Sequence, residues 1–403
     1  MMFETVLSAT KKRSFRRLVE AIGVALAMLL ALSCPYWLPV HAQLSTDDHL
    51  AEPGWWPRQV SRSYDDYAGS SDCAKCHKEK AATQKITPMA RTLMRAEDAE
   101  ILQSGKPFTF RNDKYFYQIG MSGGKAELTV SDGKNQLADQ LVWAFGTGDV
   151  GQSYLFLRNE KYFESRVTYF SSLQNIHFTP ARALYAPHNL AEAMARPLDI
   201  EEVKRCFSCH STAAVVDGKF EPNKLTAGVT CEVCHGPGAA HATAMKTSIL
   251  QGGAGDDAGR ALVFDPGELS PVDSVDFCGS CHSTWWDVKL ARTAGIAKVR
   301  AQPYRLESSK CWGTGDARIT CVACHDPHVP LVHEVSTYDS KCLRCHRTTA
   351  NETRTKEHPG AACQVSSKDC VTCHMPKVNV PEMHYAFRDH MIRIVRPGEP
   401  LPE

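Results

Sequence analysis

The sequence predicts an α+β chain: mainly short α-helices and irregular structure wrapped around something other than side chains, beside a small antiparallel β-rich segment. Three observations predict it. A five-residue Cys-x-x-Cys-His pattern occurs seven times, six of them after residue 205. Between Cys76 and Cys206 there is no cysteine, and apolar residues there alternate with polar ones. From residue 206 onward each pattern has only about 33 residues to itself, too few to build a core of its own.

The 403 residues allow two or three domains of ordinary size. A hydrophobic fraction of 43% and a charged fraction of 23% suit a soluble globular protein. The net charge of +1 gives no reason to expect nucleic acid as a partner. The counts of 17 Cys and 17 His are the unusual ones. They suit an oxidising compartment or a metal or haem protein.

At the start of the chain, Lys11, Lys12, Arg13, Arg16 and Arg17 precede an apolar run from Leu18 to Ser33 that carries one charge, Glu20. Pro35 and Pro39 end the run, and Val40-His41-Ala42 closes on a small residue. This reads as a secretory signal peptide over 1–42, cut after Ala42, and it gives a periplasmic or extracellular address. An uncleaved membrane anchor and lipidation at Cys34 are the alternatives. The mature chain has 41 basic and 43 acidic residues, so a cationic face for membranes or nucleic acid is not expected.

Residues 43–72 form a polar lead-in, and 73–105 a segment with one motif. The β-rich segment follows over 106–185. Phe108-Thr109-Phe110 and Tyr115 to Ile119 flank Arg111-Asn112-Asp113-Lys114, a hairpin signal. Glu127 to Val130 leads into Asp132-Gly133, and Tyr154 to Leu157 and Tyr162 to Phe170 flank Arg158 to Lys161. Residues 106–175 therefore read as a small antiparallel sheet. Leu190 to Val203 reads as a helix leading into Cys206. Residues 186–403 hold the remaining six motifs.

The motifs are Cys73-x-x-Cys76-His77, Cys206-x-x-Cys209-His210, Cys231-x-x-Cys234-His235, Cys278-x-x-Cys281-His282, Cys321-x-x-Cys324-His325, Cys342-x-x-Cys345-His346 and Cys370-x-x-Cys373-His374. At this composition chance supplies about 0.03 of them, so seven is decisive. Two thiols must reach the two vinyl groups of one porphyrin, and positions i and i+3 share a helical face. The adjacent His then turns to the iron. Redox cysteine pairs do not need a His beside each, and zinc would take two clusters per metal, which seven does not divide into. The reading is seven covalent haem c groups with the seven motif histidines as proximal ligands. Haems also account for the missing core, because each is an apolar disc fixed to the chain at two points.

Sixth ligands must come from other residues. His241, His328, His384 and His390 are the leading candidates, followed by His333 and His358, then His177 and His188. His328, in Cys324-His325-Asp326-Pro327-His328, is too near to cap its own iron and should serve a neighbour. For the first haem, Met89 is a candidate that would raise its potential relative to two histidines. The extra cysteines Cys311 and Cys363 are expected to form a disulfide.

Several stretches carry a resemblance: Thr87-Pro-Met89-Ala-Arg91, Gly228 to Gly238, Thr320 to His328, and Asp369 to Lys377 with Phe387-Arg-Asp389-His390. On these the chain resembles a family of bacterial multihaem cytochromes related to the tetrahaem cytochrome c of ammonia oxidisers. The resemblance implies tightly packed haem pairs, His distal ligands and electron transfer. The tetrahaem relatives have fewer haems and one open iron. The leading functional reading is an electron carrier whose partners are proteins that donate and accept electrons. One alternative is an oxidoreductase acting on a small nitrogen or sulfur compound at an open haem. Another is a subunit of an extracellular cytochrome filament or surface conduit. Oligomeric state is not encoded in these features.

Overall fold

The computed structural model describes residues 63–112, 114–252, 257–290, 295–312, 319–346, 363, 365–396 and 398–402. The expected signal peptide, most of the lead-in and His358 lie outside them.

The dominant element is a ten-stranded antiparallel sheet. Its strands are β1 (Leu93–Arg95), β2 (Phe108–Arg111), β3 (Phe116–Ser122), β4 (Lys125–Ser131), β5 (Gln136–Phe145), β6 (Gly151–Arg158), β7 (Lys161–Ser165), β8 (Val167–Phe170), β9 (Asn175–Phe178) and β10 (Ala195–Pro197). The main order is β10-β7-β6-β5-β4-β3-β2, with β1 on β5, and β8 bridging β6 and β9. All three expected hairpins form. Arg111 pairs with Phe116, Ser131 with Gln136, and Arg158 with Lys161. The last is a two-residue turn in which Asn159 and Glu160 both adopt positive φ. That conformation matches the twist of the flanking strands.

The sheet is larger than the expected one over 106–175. Its outlying strands β1 and β10 have three residues each, too short to show alternation. The expected strand Tyr162–Phe170 is split at Arg166. There the amide donates to the Met194 carbonyl (3.0 Å) and the carbonyl accepts from Thr179 (2.8 Å), so β7 and β8 take different partners. The sheet also curls. Thr109 of β2 donates its amide to the Asn175 side chain of β9 (3.0 Å), and Phe110 meets Phe178 edge-on at 4.9 Å.

Among the described residues thirteen α-helices accompany the sheet. They are α1 (Ser70–Cys76), α2 (Lys78–Gln84), α3 (Leu190–Met194), α4 (Ile200–His210), α5 (Cys231–His235), α6 (Ala239–Leu250), α7 (Asp257–Arg260), α8 (Pro271–His282), α9 (Trp285–Leu290), α10 (Gln302–Glu307), α11 (Cys321–Cys324), α12 (Asp339–Leu343) and α13 (Cys370–His374). The helix expected over 190–203 is interrupted by β10. Pro197 cannot donate within a helix, and α4 restarts at a capping box in which Asp199 and Glu202 bond each other's backbone amides.

Of 38 buried hydrophobic residues among those described, 26 lie between Leu93 and Phe207. The apolar core therefore belongs to the sheet. One cluster fills its inner face around Tyr117, Leu128, Val130, Tyr154 and Phe156. A second joins Trp143 and Leu155 to Val203 and Phe207, which stand one turn apart on α4. That second cluster fixes a motif-bearing helix to the sheet. Beyond residue 210 the side-chain core is sparse, as in the small cluster of Val288, Ala301 and Tyr304.

Candidate haem sites

In six of the seven motifs both cysteines lie on one short helix: α1, α4, α5, α8, α11 and α13. In the sixth motif Cys342 lies on α12, and Cys345 follows in a turn whose amide bonds the Cys342 carbonyl at 3.1 Å. The i, i+3 spacing thus places paired thiols on one helical face.

The motifs adjoin one another. Cys73 lies beside Cys231, Cys209 beside Cys281, Cys278 beside Cys321, and Cys342 beside Cys370. The first motif, isolated in sequence by the sheet, is therefore not isolated in space. Gln84 donates to the Val229 carbonyl (2.7 Å), and the Val229 amide to the carbonyl of Met89 (3.0 Å). Gly228, at φ +81°, comes so close to Ala90 that a Cβ would lie 1.8 Å from its carbonyl oxygen, so only glycine fits.

Two buried carboxylates fasten motif to motif, and neither stood out in the sequence. Glu232, inside the third motif, is 5% exposed. Its Oε1 accepts from the amides of Ala68 (2.8 Å) and Gly238 (2.9 Å), and its Oε2 from Gly69 (2.9 Å), the residue capping α1. Asp339, just before the sixth motif, accepts from the amides of Asp369 and Cys370, both at 2.8 Å, at the start of α13. The amides of Cys370 and Asp369 lower the pKa of Asp339.

Six histidines present a consistent pattern at the ring nitrogen that would face away from an iron. Nδ1 of His235 donates to the Phe264 carbonyl (3.0 Å), that of His241 to Gly259 (2.8 Å), that of His374 to Arg393 (2.9 Å) and that of His390 to Arg388 (3.1 Å). His328 Nδ1 bonds the Asp326 carboxylate at 2.9 Å. His210 Nδ1 lies 2.8 Å from Thr92 Oγ1 and 3.2 Å from its carbonyl. A donating Nδ1 leaves Nε2 as the lone-pair nitrogen, the tautomer that an imidazole ligand needs. Desolvation lowers the pKa values of His210, His282, His325 and His390, the last to about 4, and so favours the neutral, ligating form.

Two pairs of rings stand at a distinctive separation. His235 and His328 are 6.0 Å apart between ring centres, with planes 18° apart, and His325 and His390 are 6.3 Å apart at 41°. An imidazole nitrogen binds a metal at about 2.0–2.1 Å and its ring centre lies about 1 Å behind it, so rings on opposite sides of one metal stand about 6 Å apart. Both pairs fit an iron held between a motif histidine and a second histidine. In the first, His328 reaches from the fifth motif to the third.

His390 follows Asp389, the centre of a largely buried ion network. Asp389 accepts from Arg305 Nε (2.7 Å), from Arg305 Nη2 (2.8 Å) and from Arg393 (2.6 Å), and Arg305 also donates to the Pro402 carbonyl (2.9 Å). Arg305 and Asp389 are both 0% exposed. The same segment supplies the Arg393 carbonyl that bonds His374, so one network orients the rings of two motifs.

The remaining candidates are placed as follows. His384 sits at the positive-φ turn of a hairpin formed by Lys377–Val380 and Tyr385–Arg388. Its ring meets Phe170 and His177 edge-on at 4.8 and 4.7 Å, and its Nε2 is buried without a hydrogen-bond partner. His77, His188, His333 and His346 are exposed. Met89 is half-buried. The expected disulfide is not formed. Cys311 lies near Cys324, while Cys363 takes hydrogen bonds from the amides of Ser366 and Val365. Among the described residues no helix is long and apolar enough to cross a membrane.

Comparisons with known proteins point the same way over part of the chain. Residues 170–236, which contain the second and third motifs, match the family model described as cytochrome c554 and c-prime. No curated protein matches. Among solved structures, the chain is similar to the outer cell wall cytochrome OcwA at a TM-score of 0.40 and 15% identity, over 81% of this chain and 80% of that one.

Proposed function

We propose that this protein is a c-type cytochrome that binds seven haems covalently and carries electrons between redox partner proteins outside the cytoplasm. The observation that carries the reading is the 6 Å spacing of His235 with His328 and of His325 with His390. It is supported by contiguous motifs, by the match of residues 170–236 to the cytochrome c554 family, and by the apolar leader at residues 18–33. Haem c supplies a one-electron iron couple.

The residues divide the work. The seven cysteine pairs, Cys73/Cys76 through Cys370/Cys373, hold the haems, and His77, His210, His235, His282, His325, His346 and His374 are the proximal ligands. His328 would hold the iron together with His235, and His390 together with His325. His384, with its orphaned Nε2, and His241, with its oriented ring, are the next distal ligands, and Met89 stands nearest the first motif in sequence. Histidines on both sides of an iron close it to substrate, which favours a carrier over an enzyme. The Asp389 network and the carbonyls of Phe264 and Arg393 hold the rings in orientation.

A pyridine haemochrome assay on the mature protein tests the count, with seven haems per chain expected and any other number refuting it. The electron paramagnetic resonance spectrum of the oxidised protein tests the closed-carrier reading. Low-spin signals are expected, and a stoichiometric high-spin signal would favour an oxidoreductase with an open iron.

A further inference from the structure

We propose that Glu232 sets the reduction potentials of the haems on the first and third motifs, as a fixed negative charge buried between them. This rests on the haem reading above and goes beyond it by giving one non-ligand residue an electrostatic role.

Glu232 lies between Cys231 and Cys234, and the Cys231 thiol meets that of Cys73 on α1. Its two oxygens accept three backbone amides. Three amide dipoles therefore converge on its two carboxyl oxygens. Among the described residues the two nearby lysines are paired with other carboxylates. Lys224 lines the same 280 Å³ cavity but pairs with Glu221 at 2.8 Å, and Lys246 pairs with Asp72 at 2.9 Å. The turn through Gly236 and Gly238 closes beneath the carboxylate, where a Cβ on Gly238 would stand 3.4 Å from Oε1.

A helix-capping role alone does not require this arrangement. A hydroxyl or amide side chain caps an N-terminus as well as an acid does. A buried anion beside two haems does something more, because it stabilises the ferric form relative to the ferrous form, whose net charge is one unit less positive. The effect is large at low dielectric and short range.

The experiment is a spectroelectrochemical titration of the full, haem-loaded chain as wild type, E232Q, E232D and A68P. For E232Q the expected result is an unchanged haem count with two midpoints raised. At fixed applied potential each rise favours ferrous haem about tenfold, or 59 mV for a one-electron couple. E232D keeps the charge and is expected to titrate like wild type. Ala68→Pro removes one of the three donors, leaves the charge less compensated, and is expected to lower the same two midpoints. Opposite signs for E232Q and A68P separate electrostatics from loosened packing, which would move both the same way. Potentials unmoved in E232Q, or moved equally in E232D, overturn the proposal. If E232Q matures with fewer haems, A68P decides alone: lowered midpoints support the role and unchanged ones overturn it. A wild-type haem count other than seven would instead count against the reading on which the proposal rests.

Discussion

The ring of His328 stands 6.0 Å from that of His235, a residue 93 positions earlier in the chain, and Asp326 holds it there through Nδ1. Removing His328 leaves His235 without its partner. His328→Ala is expected to convert one low-spin signal to high-spin in the oxidised protein, and His390→Ala to convert a different one. His333→Ala, at an exposed position, is expected to leave the spectrum unchanged. The paramagnetic resonance spectra of the three variants check this.

Asp389 is the centre of a buried network with two guanidiniums. Replacing it by Asn leaves Arg305 buried without its countercharge, which is expected to cost about 3–5 kcal/mol of stability. Denaturant unfolding followed by far-ultraviolet circular dichroism reads the loss. The same variant is expected to disturb the His325/His390 pair, seen as a changed low-spin signal.

Phe207 couples the sheet to the helix that carries the second motif. It is fully buried, and Trp143, Phe145, Tyr162 and Phe220 surround it with ring centres 4.9 to 5.8 Å away. Phe207→Ala is expected to cost about 3–5 kcal/mol, measured by the denaturant midpoint.

Stability is expected to depend on pH from both sides. Burial, and then the neighbouring Asp276, raise the Glu307 pKa to about 8, above its unfolded value. The folded state therefore binds the extra proton between the two values, and stability falls as pH rises through that window. Asp339 is shifted the other way by the amides it accepts, so its contribution is present above its unfolded pKa and is lost as pH falls through the lower folded one. Between pH 5 and pH 8 the denaturant midpoint of wild type is expected to fall relative to that of Glu307→Gln.

What sequence could show depended on how far apart the interacting residues lie. The hairpins at 111–116, 131–136 and 158–161 were legible because turn chemistry and alternation are local. The motifs were legible because covalent haem attachment needs a fixed spacing. The short strands β1 and β10 carry no periodic signal, and the break at Arg166 is made by a contact with Met194. Glu232 and Asp339 read as ordinary acidic residues, because nothing local shows which amides they will meet. The second role of His328 was legible in part, since five residues of chain rule out its own iron but do not name the neighbour.

The bond between Gly69 and Glu232 spans 163 positions, with the whole sheet between its two ends. A chain that leaves the ribosome N-terminus first therefore presents its first motif long before the residue that will lock it exists. The bonds that Glu232 accepts from Ala68 and Gly69 can form only after the strands from Leu93 to Pro197 and the third motif have been made. The amides at the start of α1 therefore gain their carboxylate partner only once the third motif is present, and a chain that stops before residue 232 lacks it.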